Sequence, residues 1–427
     1  MRQLPIGITD FKKLISGNYH YVDKSLFIKE LLDNAVETTL IPRPRRFGKT
    51  LNLSMLRYFF EKTEPSHAYL FGNLAIAKEP KYMQHQGQFP VIFLTFKFLD
   101  DATWDKCYDA LKRVIANEFR RHNYLLTDSY LDKQQKQEFE DIIALTATEG
   151  AYKVSLKNLI TYLAKYHNKN PIVLIDEYDV PIHAGFKHKY YEDVTLFMRR
   201  FIGDGLKDNE YLHFAVITGA MRITEESIST GLNHLKVCTL LNKTYSDKFG
   251  WLEHEVQSFI QERGLSCRLD DIRHWYNGFA SGPYTIYNPW STISCADNGG
   301  VLRAYWVNTA STDILKDLIA KSNKSVKEDI ELLLQGNSIR KRINENITFF
   351  DLAKNETALW NYLFCMGYLT IKQELLIDDI PHADFCIPNK EIVSIYTSTI
   401  LERDKGYTHI IPLGIAFEEK QVFIQTQ

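Results

Sequence analysis

The chain has 427 residues, of which 45% are hydrophobic and 24% are charged, so it is long enough for two or three domains and has the composition of a folded protein. The formal net charge of −2 excludes a whole-protein attraction to nucleic acid or to a membrane surface and leaves only local patches to consider. The cysteines form no C-x-x-C pair, and we find neither a signal-peptide pattern nor an apolar stretch long enough to span a membrane. We therefore expect a cytoplasmic protein without a zinc site or a disulfide framework.

Four apolar runs in the first half of the chain predict buried strands, at residues 36–43, 89–98, 171–176 and 212–219. The segments between them have helical spacing, and they include "GKTLNLSMLRYFFEK", "WDKCYDALKRVIANEFRRH" and "VSLKNLITYLAKYH". Near-continuous apolar strands that alternate with helices indicate an α/β fold, in which a parallel sheet is covered by helices on both faces.

The character of the sequence changes after about residue 250, where shorter helical segments contain many aromatic residues. The next strand of the earlier, apolar type is "IIPLGIAF" at residues 410–417. We therefore predict three domains, comprising residues 1–250, 251–345 and 346–427.

The segment "IPRPRRFGKT" ends like a phosphate-binding loop. Gly48, Lys49 and Thr50 fill the last places of G-x-x-x-x-G-K-[ST], and Arg43 stands where the first glycine is expected. Because the loop lies between a predicted strand and a helix, its amides and the helix N-terminus would face an anion. Lys49 would then reach the β and γ phosphates of a nucleotide, and the Thr50 hydroxyl would bind Mg²⁺. The predicted cofactor-binding residues are Arg45, Arg46, Phe47, Gly48, Lys49, Thr50 and Leu51.

The first half of this loop leaves an alternative open. Arg43 lacks the conformational freedom of glycine, and Pro42 and Pro44 stiffen the chain on both sides. Arg45 and Arg46 add two charges that suit nucleotide phosphates or a nucleic-acid backbone. A basic surface turn would also explain these residues, because G-K-[ST] is short enough to occur by chance.

The segment "NPIVLIDEYDVPI" is an apolar strand that ends in acidic residues. At the carboxyl end of a parallel strand, Asp176 can hold Mg²⁺ through water while Glu177 polarises a water for attack on a γ-phosphate. The distance along the chain leaves room for an intervening strand, as in the ATPases in which a strand separates the phosphate-loop strand from the acidic one. The alternative is a buried strand whose acids cap a turn, and Asp179, before Pro181, needs no catalytic role.

The last apolar run ends in "VITGAMRITEESI", which places Thr218 and Arg222 at the same edge of the predicted sheet. Arg222 is predicted to sense the γ-phosphate, because its guanidinium can donate to phosphate oxygens in a planar fork. A salt bridge from Arg222 to Glu225 or Glu226 on the following helix is the alternative.

Ten segments spread over residues 4–391 carry a resemblance to a known family. They are "LPIGITDFKKL", "YVDKSLFI", "RPRRFGKTLNLSML", "LIDEYDVPI", "TGAMRITEESISTGLNHL", "FGWLEHEV", "WYNGF", "IYNPWS", "YWVNTAS" and "IPNKE". With these segments the sequence resembles the bacterial AAA-ATPase-like family, whose full-length members end in a PD-(D/E)XK nuclease-like domain. That family also carries arginine at the first Walker A position.

The resemblance implies a P-loop NTPase core of the ASCE type, followed by a helical lid domain. It gives Lys49 and Thr50 the phosphate and magnesium roles, Asp176 and Glu177 the Walker B roles, and Arg222 the sensor position. Lys49, Glu177 and Arg222 are thus the predicted catalytic residues, and Thr50 and Asp176 are the predicted metal ligands.

The resemblance also raises two sets of residues that could border a base or a ribose. The first set precedes the loop and would otherwise pack an N-terminal helix, and it comprises Tyr21, Asp23 and Lys24. The second set lies in the predicted lid and would otherwise fill an aromatic core, and it comprises Trp275, Tyr276, Asn277 and Asn288. Packing is the favoured interpretation for both sets.

The sequence departs from the resembled family near its end. Full-length relatives carry more than a hundred residues between the "IPNKE" motif and the terminal "IGIAF" strand, whereas here the interval is far shorter. A nuclease of this type needs an upstream Asp and a following E-x-K on adjacent strands, and that geometry has no room here. Glu418 and Lys420 spell E-x-K but are interpreted as a solvated turn. We expect a short α+β remnant at residues 346–427 without nuclease activity.

Three functional hypotheses follow. The first is an enzyme with slow Mg²⁺-dependent ATP hydrolysis that acts as a nucleotide-driven switch. The second is a nucleotide-regulated binding module for a protein or nucleic-acid partner, with little turnover, and a homo-oligomer would also fit. The third is nucleic-acid binding through "RPRR" and through Arg340, Lys341 and Arg342, although such short charge runs usually mark a solvated face.

Overall fold

The computed structural model describes residues 2–127, 130–222, 235–265, 267–306, 323–345, 349–352 and 355–401. Within this part, the chain divides into two compact units. The first unit comprises residues up to 249 together with the stretch 349–352. The second unit comprises the remaining described residues from 250 to 401. The sequence-predicted strand at 410–417, as well as Glu418 and Lys420, lies outside the described residues.

The first unit contains a five-stranded sheet in which every neighbouring pair is parallel. Its strands are β1 (Thr38–Pro42), β2 (Val91–Thr95), β3 (Ile172–Asp176), β4 (Phe214–Gly219) and β5 (Lys236–Val237). In the sheet they follow the order β2-β3-β4-β1-β5. The strand between the phosphate-loop strand β1 and the acidic strand β3 is therefore β4, which comes after both of them in the sequence.

Helices connect these strands. The helices of the first unit are α1 (Phe11–Ser16), α2 (Leu26–Asn34), α3 (Lys49–Phe60), α4 (Pro80–Met83), α5 (Trp104–Arg121), α6 (Lys133–Ala144), α7 (Glu149–His167), α8 (Val180–His188), α9 (Tyr191–Met198) and α10 (Asp204–Leu206). A π-helical turn, Arg199–Gly203, joins α9 to α10. The helices predicted from "GKTLNLSMLRYFFEK", "WDKCYDALKRVIANEFRRH" and "VSLKNLITYLAKYH" correspond to α3, α5 and α7.

Both faces of the sheet are covered, because successive side chains along a strand point to opposite faces and nearly all of them are buried. One set packs in a cluster with α1, α2 and α3, and it includes Ile41, Val91, Ile172, Leu174 and Val216. The intervening set is equally buried on the other face, and it includes Leu40, Ile92, Val173, Ile175 and Ile217. The predicted α/β architecture, a parallel sheet with helices on both faces, is confirmed.

The second unit contains short helices and two small antiparallel sheets. Its helices are α11 (Glu253–Arg263), α12 (Leu269–Tyr276), α13 (Pro289–Asp297), α14 (Lys324–Leu334), α16 (Glu356–Cys365) and α17 (Lys390–Leu401), while α15 (Phe349–Leu352) lies with the first unit. Its strands are β6 (Phe279–Ser281), β7 (Tyr284–Ile286), β8 (Ile339–Arg342), β9 (Thr370–Ile377) and β10 (Ile380–Cys386). β6 pairs with β7, and β10 lies between β8 and β9.

The β9–β10 hairpin was not predicted from the sequence. Most residues of β9 are exposed or half-buried, so the strand lacks the continuous apolar run used to find β1–β4. β8 and β10 hydrogen-bond across the predicted domain boundary near residue 345, and His382 lies opposite Arg342. The described residues on both sides of that boundary thus share one sheet. The predicted division into three domains stays a prediction.

Three of the quoted motifs of the second unit meet at one buried carboxylate. Glu391 is fully buried, and the Ser291 hydroxyl contacts both of its oxygens, at 3.0 and 2.8 Å. The N–H groups of Tyr305 and Trp306 donate to Glu391 Oε1 over 2.7 and 2.9 Å. Burial nevertheless raises the pKa of Glu391 to about 7. The segments "IYNPWS", "YWVNTAS" and "IPNKE" therefore contribute to one structural polar site.

None of the helices in the described part of the chain is long and apolar enough to cross a membrane.

Candidate functional site

The phosphate loop, residues 43–48, joins the carboxyl end of β1 to the first turn of α3. Gly48 has a φ of 88° and Arg46 a φ of 70°, so the chain twice enters the left-handed region before the helix begins at Lys49. The N–H of Asn52 donates to Gly48 O over 3.0 Å. The amides of Lys49, Thr50 and Leu51 precede this bond and have no intrahelical acceptor. The helix N-terminus therefore presents amide hydrogens and a positive dipole end at the loop.

Arg43, the residue in the first glycine's place, is a fully buried anchor of the loop. Its Nη1 donates to Pro42 O over 2.8 Å and to Cys238 O over 2.7 Å, and its Nη2 donates to Tyr245 O over 3.4 Å. Its guanidinium also lies 5.2 Å from the centre of the Phe249 ring. Burial lowers the pKa of Arg43 to about 10. The side chain thus binds main-chain carbonyls of three residues.

Lys49 is buried at the base of the loop, with 3% of its side chain exposed. Its Nζ donates to Arg43 O over 2.9 Å and to Pro44 O over 3.1 Å, and lies 3.3 Å from Glu177 Oε1. The predicted phosphate lysine and the predicted water-polarising glutamate are therefore an ion pair.

Asp176, at the end of β3, accepts hydrogen bonds from three hydroxyl groups on three neighbouring elements. Thr50 Oγ1 on α3 donates to Asp176 Oδ2 over 2.8 Å, and Thr95 Oγ1 at the end of β2 does so over 3.3 Å. Thr218 Oγ1 on β4 donates to Oδ1 over 2.9 Å. The parallel register produces this convergence, because Thr95 lies opposite Asp176 at the carboxyl edge of the sheet. Thr218 therefore lies at the carboxyl edge of the sheet, as the sequence predicted.

The two acids at the tip of β3 differ in environment. Asp176 is fully buried, and burial together with the charge of Glu177 raises its pKa, while Thr50, Thr218 and Lys49 oppose this shift. The Glu177 side chain is 15% exposed, and its backbone has a φ of 54°, which is uncommon outside glycine. A positive φ at a residue other than glycine costs energy, and residues held in this way often belong to functional sites.

The other predicted loop residues divide into a packing group and a half-buried, charged group. Phe47 is 1% exposed and belongs to the core, and Leu51 packs against the main cluster of the first unit. Arg45 and Arg46 are half-buried. Burial and the charge of Arg45 lower the pKa of Arg46, and Glu177 opposes this. The two arginines therefore supply the positive charge of the loop.

Asp179 is a residue of this edge that the sequence analysis treated as a plain turn residue. It is 5% exposed, and its Oδ2 accepts the N–H groups of Ala220 and Met221 over 2.8 and 3.2 Å. The Tyr178 hydroxyl donates to Met221 O over 3.0 Å. Burial and the charge of Glu177 raise the pKa of Asp179 to about 6. The presence of three acids within the four residues of "DEYD" was the available signal.

Arg222, the predicted sensor, comes directly after Met221 and is half-buried. Asp179 and Tyr178 thus connect the acidic turn after β3 to the main chain just before Arg222. The alternative partners Glu225 and Glu226 lie outside the described residues.

Comparison with known proteins assigns the chain to a family. Residues 5–229, more than half of the chain, match the AAA-ATPase-like family, which is described as predicted AAA-ATPase. The chain belongs to this family. The match includes the phosphate loop, both acids and Arg222, so this AAA-ATPase-like protein has a nucleotide-binding, ATPase-like role.

The AAA-ATPase-like protein is also similar to a curated protein and to a solved structure. It is 26% identical over 413 residues to an uncharacterized protein from the vnfD 5′ region of Azotobacter chroococcum mcd 1, and the match covers 94% of this chain and 70% of that protein. The Walker-type ATPase PABY2304 of Pyrococcus abyssi is similar with a TM-score of 0.39 and 13% identity, over 93% of this chain and 99% of that one. The fold assignment rests on the strand order and not on this distant likeness.

The residues before the loop have packing contacts in this AAA-ATPase-like protein. Tyr21 donates from its hydroxyl to the sulfur of Met55 over 3.3 Å. The Asp23 carboxylate accepts the N–H of Ser25 over 2.8 Å and that of Ala75 over 2.7 Å. Lys24 is 8% exposed and donates to a main-chain carbonyl over 2.9 Å. These contacts agree with the packing interpretation.

The aromatic and amide residues expected in the lid have structural contacts as well. Tyr276 is fully buried and donates to Arg303 O over 3.0 Å. Asn288 is fully buried and caps α13, since its Oδ1 accepts the N–H of Trp290 over 2.9 Å. Asn277 is 8% exposed, and the Trp275 ring lies 5.0 Å from the Lys390 ammonium. The core interpretation fits Tyr276, Asn277 and Asn288, which are buried, while Trp275 is half-buried.

The basic run at 340–342 is largely compensated by acids. Arg340 pairs with Asp384 in a two-bonded arrangement, at 2.8 and 3.0 Å. Lys341 Nζ lies 2.5 Å from Asp329 Oδ2. Arg342 is exposed. Because two of the three charges have carboxylate partners, this run offers little free charge to a nucleic-acid backbone.

Proposed function

We propose that this AAA-ATPase-like protein binds ATP with Mg²⁺ at the loop between β1 and α3, hydrolyses it slowly, and acts as a nucleotide-driven switch. The observation that carries the proposal is the 2.8 Å hydrogen bond between the Thr50 hydroxyl and Asp176 Oδ2. It places the first helical turn after a phosphate loop against the acidic tip of β3, which is the arrangement that P-loop enzymes use for a triphosphate and its metal.

The phosphates would be held by the helix N-terminus and by the loop cations. The amides of Lys49, Thr50 and Leu51 have no intrahelical acceptor, and the Lys49 ammonium donates to the carbonyls of Arg43 and Pro44 at the base of the loop. A phosphate oxygen would replace the carbonyls of Arg43 and Pro44 as the acceptor for Lys49. Arg45 and Arg46 would then offset the remaining negative charge.

Thr50 and Asp176 fit a magnesium ion in their chemistry. Both offer oxygen donors, and Mg²⁺ is typically held by one or two such groups together with substrate phosphates and water. A cation here would also counter the burial and the Glu177 charge that raise the pKa of Asp176. When bound, Mg²⁺ would neutralise charge that develops on the β and γ phosphates. Among the described residues no cluster of three or more His, Cys, Asp or Glu side chains could hold a metal.

Glu177 would orient and polarise the attacking water. Its carboxylate is the more exposed of the two acids, and it forms an ion pair with Lys49 beside the loop. When Lys49 turns to the phosphates, one oxygen of Glu177 becomes available to accept a hydrogen bond from water. Arg222 would supply positive charge from the neighbouring strand.

The connection between the acidic turn and the segment before Arg222 supports the proposed switch. The Asp179 carboxylate and the Tyr178 hydroxyl bind main-chain groups of Ala220 and Met221, so a shift of Glu177 would be carried to the chain after β4. A protein partner, a homo-oligomer, a nucleic-acid partner and a cytoplasmic location remain predictions from the sequence.

The test is a pair of measurements on the purified protein, the affinity for a fluorescent ATP analogue with and without Mg²⁺ and the rate of phosphate release. We expect Mg²⁺-dependent binding and slow release. Absence of binding would contradict the proposal as a whole. Mg²⁺-dependent binding with no phosphate release would favour the nucleotide-regulated binding module instead.

A further inference from the structure

We propose that Arg43 is a positioning residue, which fixes the phosphate loop in its binding conformation by anchoring it to the segment of residues 238–249. This inference rests on the proposed nucleotide site. It assigns a role to the residue by which the loop departs from the ordinary Walker A pattern, and it makes the loop and the 238–249 segment one coupled element.

The first argument is that Arg43 connects three separate parts of the unit. Its side chain binds the carbonyls of Cys238 and Tyr245, at 2.7 and 3.4 Å. Its main-chain N–H donates to Gly219 O at the end of β4 over 2.9 Å. Its own carbonyl accepts the Lys49 ammonium over 2.9 Å. The phosphate lysine therefore rests on a peptide that Arg43 holds in place.

The second argument is energetic. A fully buried guanidinium is costly unless its donors are satisfied. The Nε of Arg43 has no hydrogen-bond partner among the described residues, and no carboxylate contributes to the shift of its pKa. Its compensation comes from main-chain carbonyls and from the face of the Phe249 ring, 5.2 Å away. The carbonyls must therefore keep their positions for the arginine to remain buried, and this requirement restrains both the loop and the 238–249 segment.

The third argument is that the 238–249 segment is itself held by the helix that carries the phosphate loop. Asn52 Nδ2 on α3 donates to Lys248 O over 2.9 Å. Glu30 on α2 accepts the N–H of Tyr245 over 2.9 Å, and its other oxygen lies 3.4 Å from the Lys248 ammonium. A change in the loop or in the first turn of α3 thus reaches this segment by two routes, through Arg43 and through Asn52.

A consequence is that glycine at position 43 would restore the consensus sequence and impair the site. The variant Arg43→Gly loses the anchor and gains main-chain freedom next to the peptide that supports Lys49. Since affinity and segment order are linked, nucleotide binding in the natural protein should in turn reduce the motion of the 238–249 segment.

The experiment compares the natural protein with Arg43→Gly, Arg43→Lys and Phe249→Leu, with Arg113→Ala on the exposed side of α5 as the control. Backbone amide exchange is followed in the loop and in residues 238–249, without nucleotide and with a non-hydrolysable ATP analogue and Mg²⁺. The affinity for the analogue is measured in parallel. A lysine cannot span the two carbonyl groups of Cys238 and Tyr245 as the guanidinium does, so Arg43→Lys should lie between the extremes.

We expect Arg43→Gly to speed exchange in both segments without nucleotide and to weaken analogue binding about tenfold or more. Phe249→Leu lies outside the loop and should weaken binding about threefold. The analogue should slow exchange of residues 238–249 in the natural protein and in Arg113→Ala, and not in Arg43→Gly.

Two results would overturn the inference: unchanged exchange in both segments of nucleotide-free Arg43→Gly, or analogue affinity equal to that of the natural protein. If Arg43→Gly does not fold, the same measurements on Phe249→Leu decide, and unchanged affinity there counts against the anchor. Failure of the natural protein to bind any analogue would contradict the proposed function, while the nucleotide-free exchange comparison would still test the anchor.

Discussion

Thr50 and Asp176 are 126 positions apart in the chain, and the hydroxyl of the first donates to the carboxylate of the second over 2.8 Å. The contact exists because β1 and β3 end at the same edge of one parallel sheet, with only β4 between them. The N-terminus of α3, the buried Asp176 carboxylate and the Lys49 ammonium therefore lie at one edge of the sheet. The predictions that follow test whether these groups divide the work as proposed.

Lys49→Met should reduce affinity for the ATP analogue about 10- to 100-fold, because the variant removes a charged donor to phosphate.

Glu177→Gln should leave affinity nearly unchanged and lower phosphate release about 10²- to 10⁴-fold, since it removes the group that accepts a proton from water. Titration of a fluorescent analogue and a phosphate-release assay separate the two effects. Equal loss of affinity in both variants would show that Glu177 acts in binding and not in turnover.

Asp176→Asn should abolish the Mg²⁺ dependence of analogue binding while leaving the folded state intact. The amide can still accept one hydroxyl and donate to another, and Thr50, Thr95 and Thr218 can each rotate to suit it. We expect the free energy of unfolding to change by less than about 1 kcal/mol, because losing a buried charge offsets the altered hydrogen bonds. Analogue titrations with Mg²⁺ and with EDTA provide the measurement, and an unchanged Mg²⁺ effect would remove Asp176 from the metal site.

Gly219→Ala should destabilise the protein by about 1–3 kcal/mol and lower turnover. A Cβ at position 219 would lie 2.6 Å from Asp179 Oδ1 and 2.8 Å from the Tyr178 ring, so the acidic turn would have to move. Gly72→Ala is a matched control, because a Cβ there meets no atom within 4 Å. Urea unfolding of both variants checks the difference. Similar midpoints for the two variants would mean that the acidic turn shifts at no cost.

Glu391→Gln should flatten the pH dependence of stability between about pH 4.3, the usual glutamate pKa, and pH 7. The folded-state pKa is raised to about 7, so the folded state holds a proton that the unfolded state has released. Stability from this group is therefore complete below pH 4.3 and is lost as the pH rises through 7. Glutamine keeps an acceptor for the N–H groups of Tyr305 and Trp306 without titrating.

The measurement is the difference in unfolding free energy between the natural protein and Glu391→Gln at pH 4.5, 6 and 7.5. Histidines titrate in the same range, but they are common to both proteins and cancel in the difference. The variant should gain stability relative to the natural protein as the pH rises. A difference that stays constant with pH would show that Glu391 has an ordinary pKa in the folded state.

The strands and helices around the site were predictable because their local patterns are strong. β1–β4 are short, almost fully buried apolar runs, and α3, α5 and α7 lie between them. The positions of Gly48, Lys49, Thr50 and Asp176 at the carboxyl edge of the sheet were predictable because a phosphate loop and an acidic strand tip follow strand ends, while their roles stay predictions. In each case the decisive information lies within a few residues of the element itself.

Other features depend on contacts between distant residues. β4 follows β3 in the sequence but lies between β1 and β3 in the sheet. This order is visible only from the pairing of β4 with both strands. The proposed role of Arg43 depends on the main-chain carbonyls of Cys238 and Tyr245. Every residue has such a carbonyl, so the identity of these two residues does not predict the contact. Likewise, β9 was missed because its mostly exposed residues lack the apolar continuity that identifies a buried strand.

The order of strands in the sheet has a consequence for biosynthesis. A ribosome releases the phosphate loop and the acidic tip of β3 well before residues 214–219, and until β4 emerges the strands β1 and β3 have no common neighbour. The nascent chain therefore holds both halves of the cleft without the element that unites them. Assembly of the candidate site therefore waits for β4, which starts about halfway along the 427-residue chain. An N-terminal fragment that stops before residue 214 should carry both the phosphate loop and the acidic tip of β3 and bind no nucleotide.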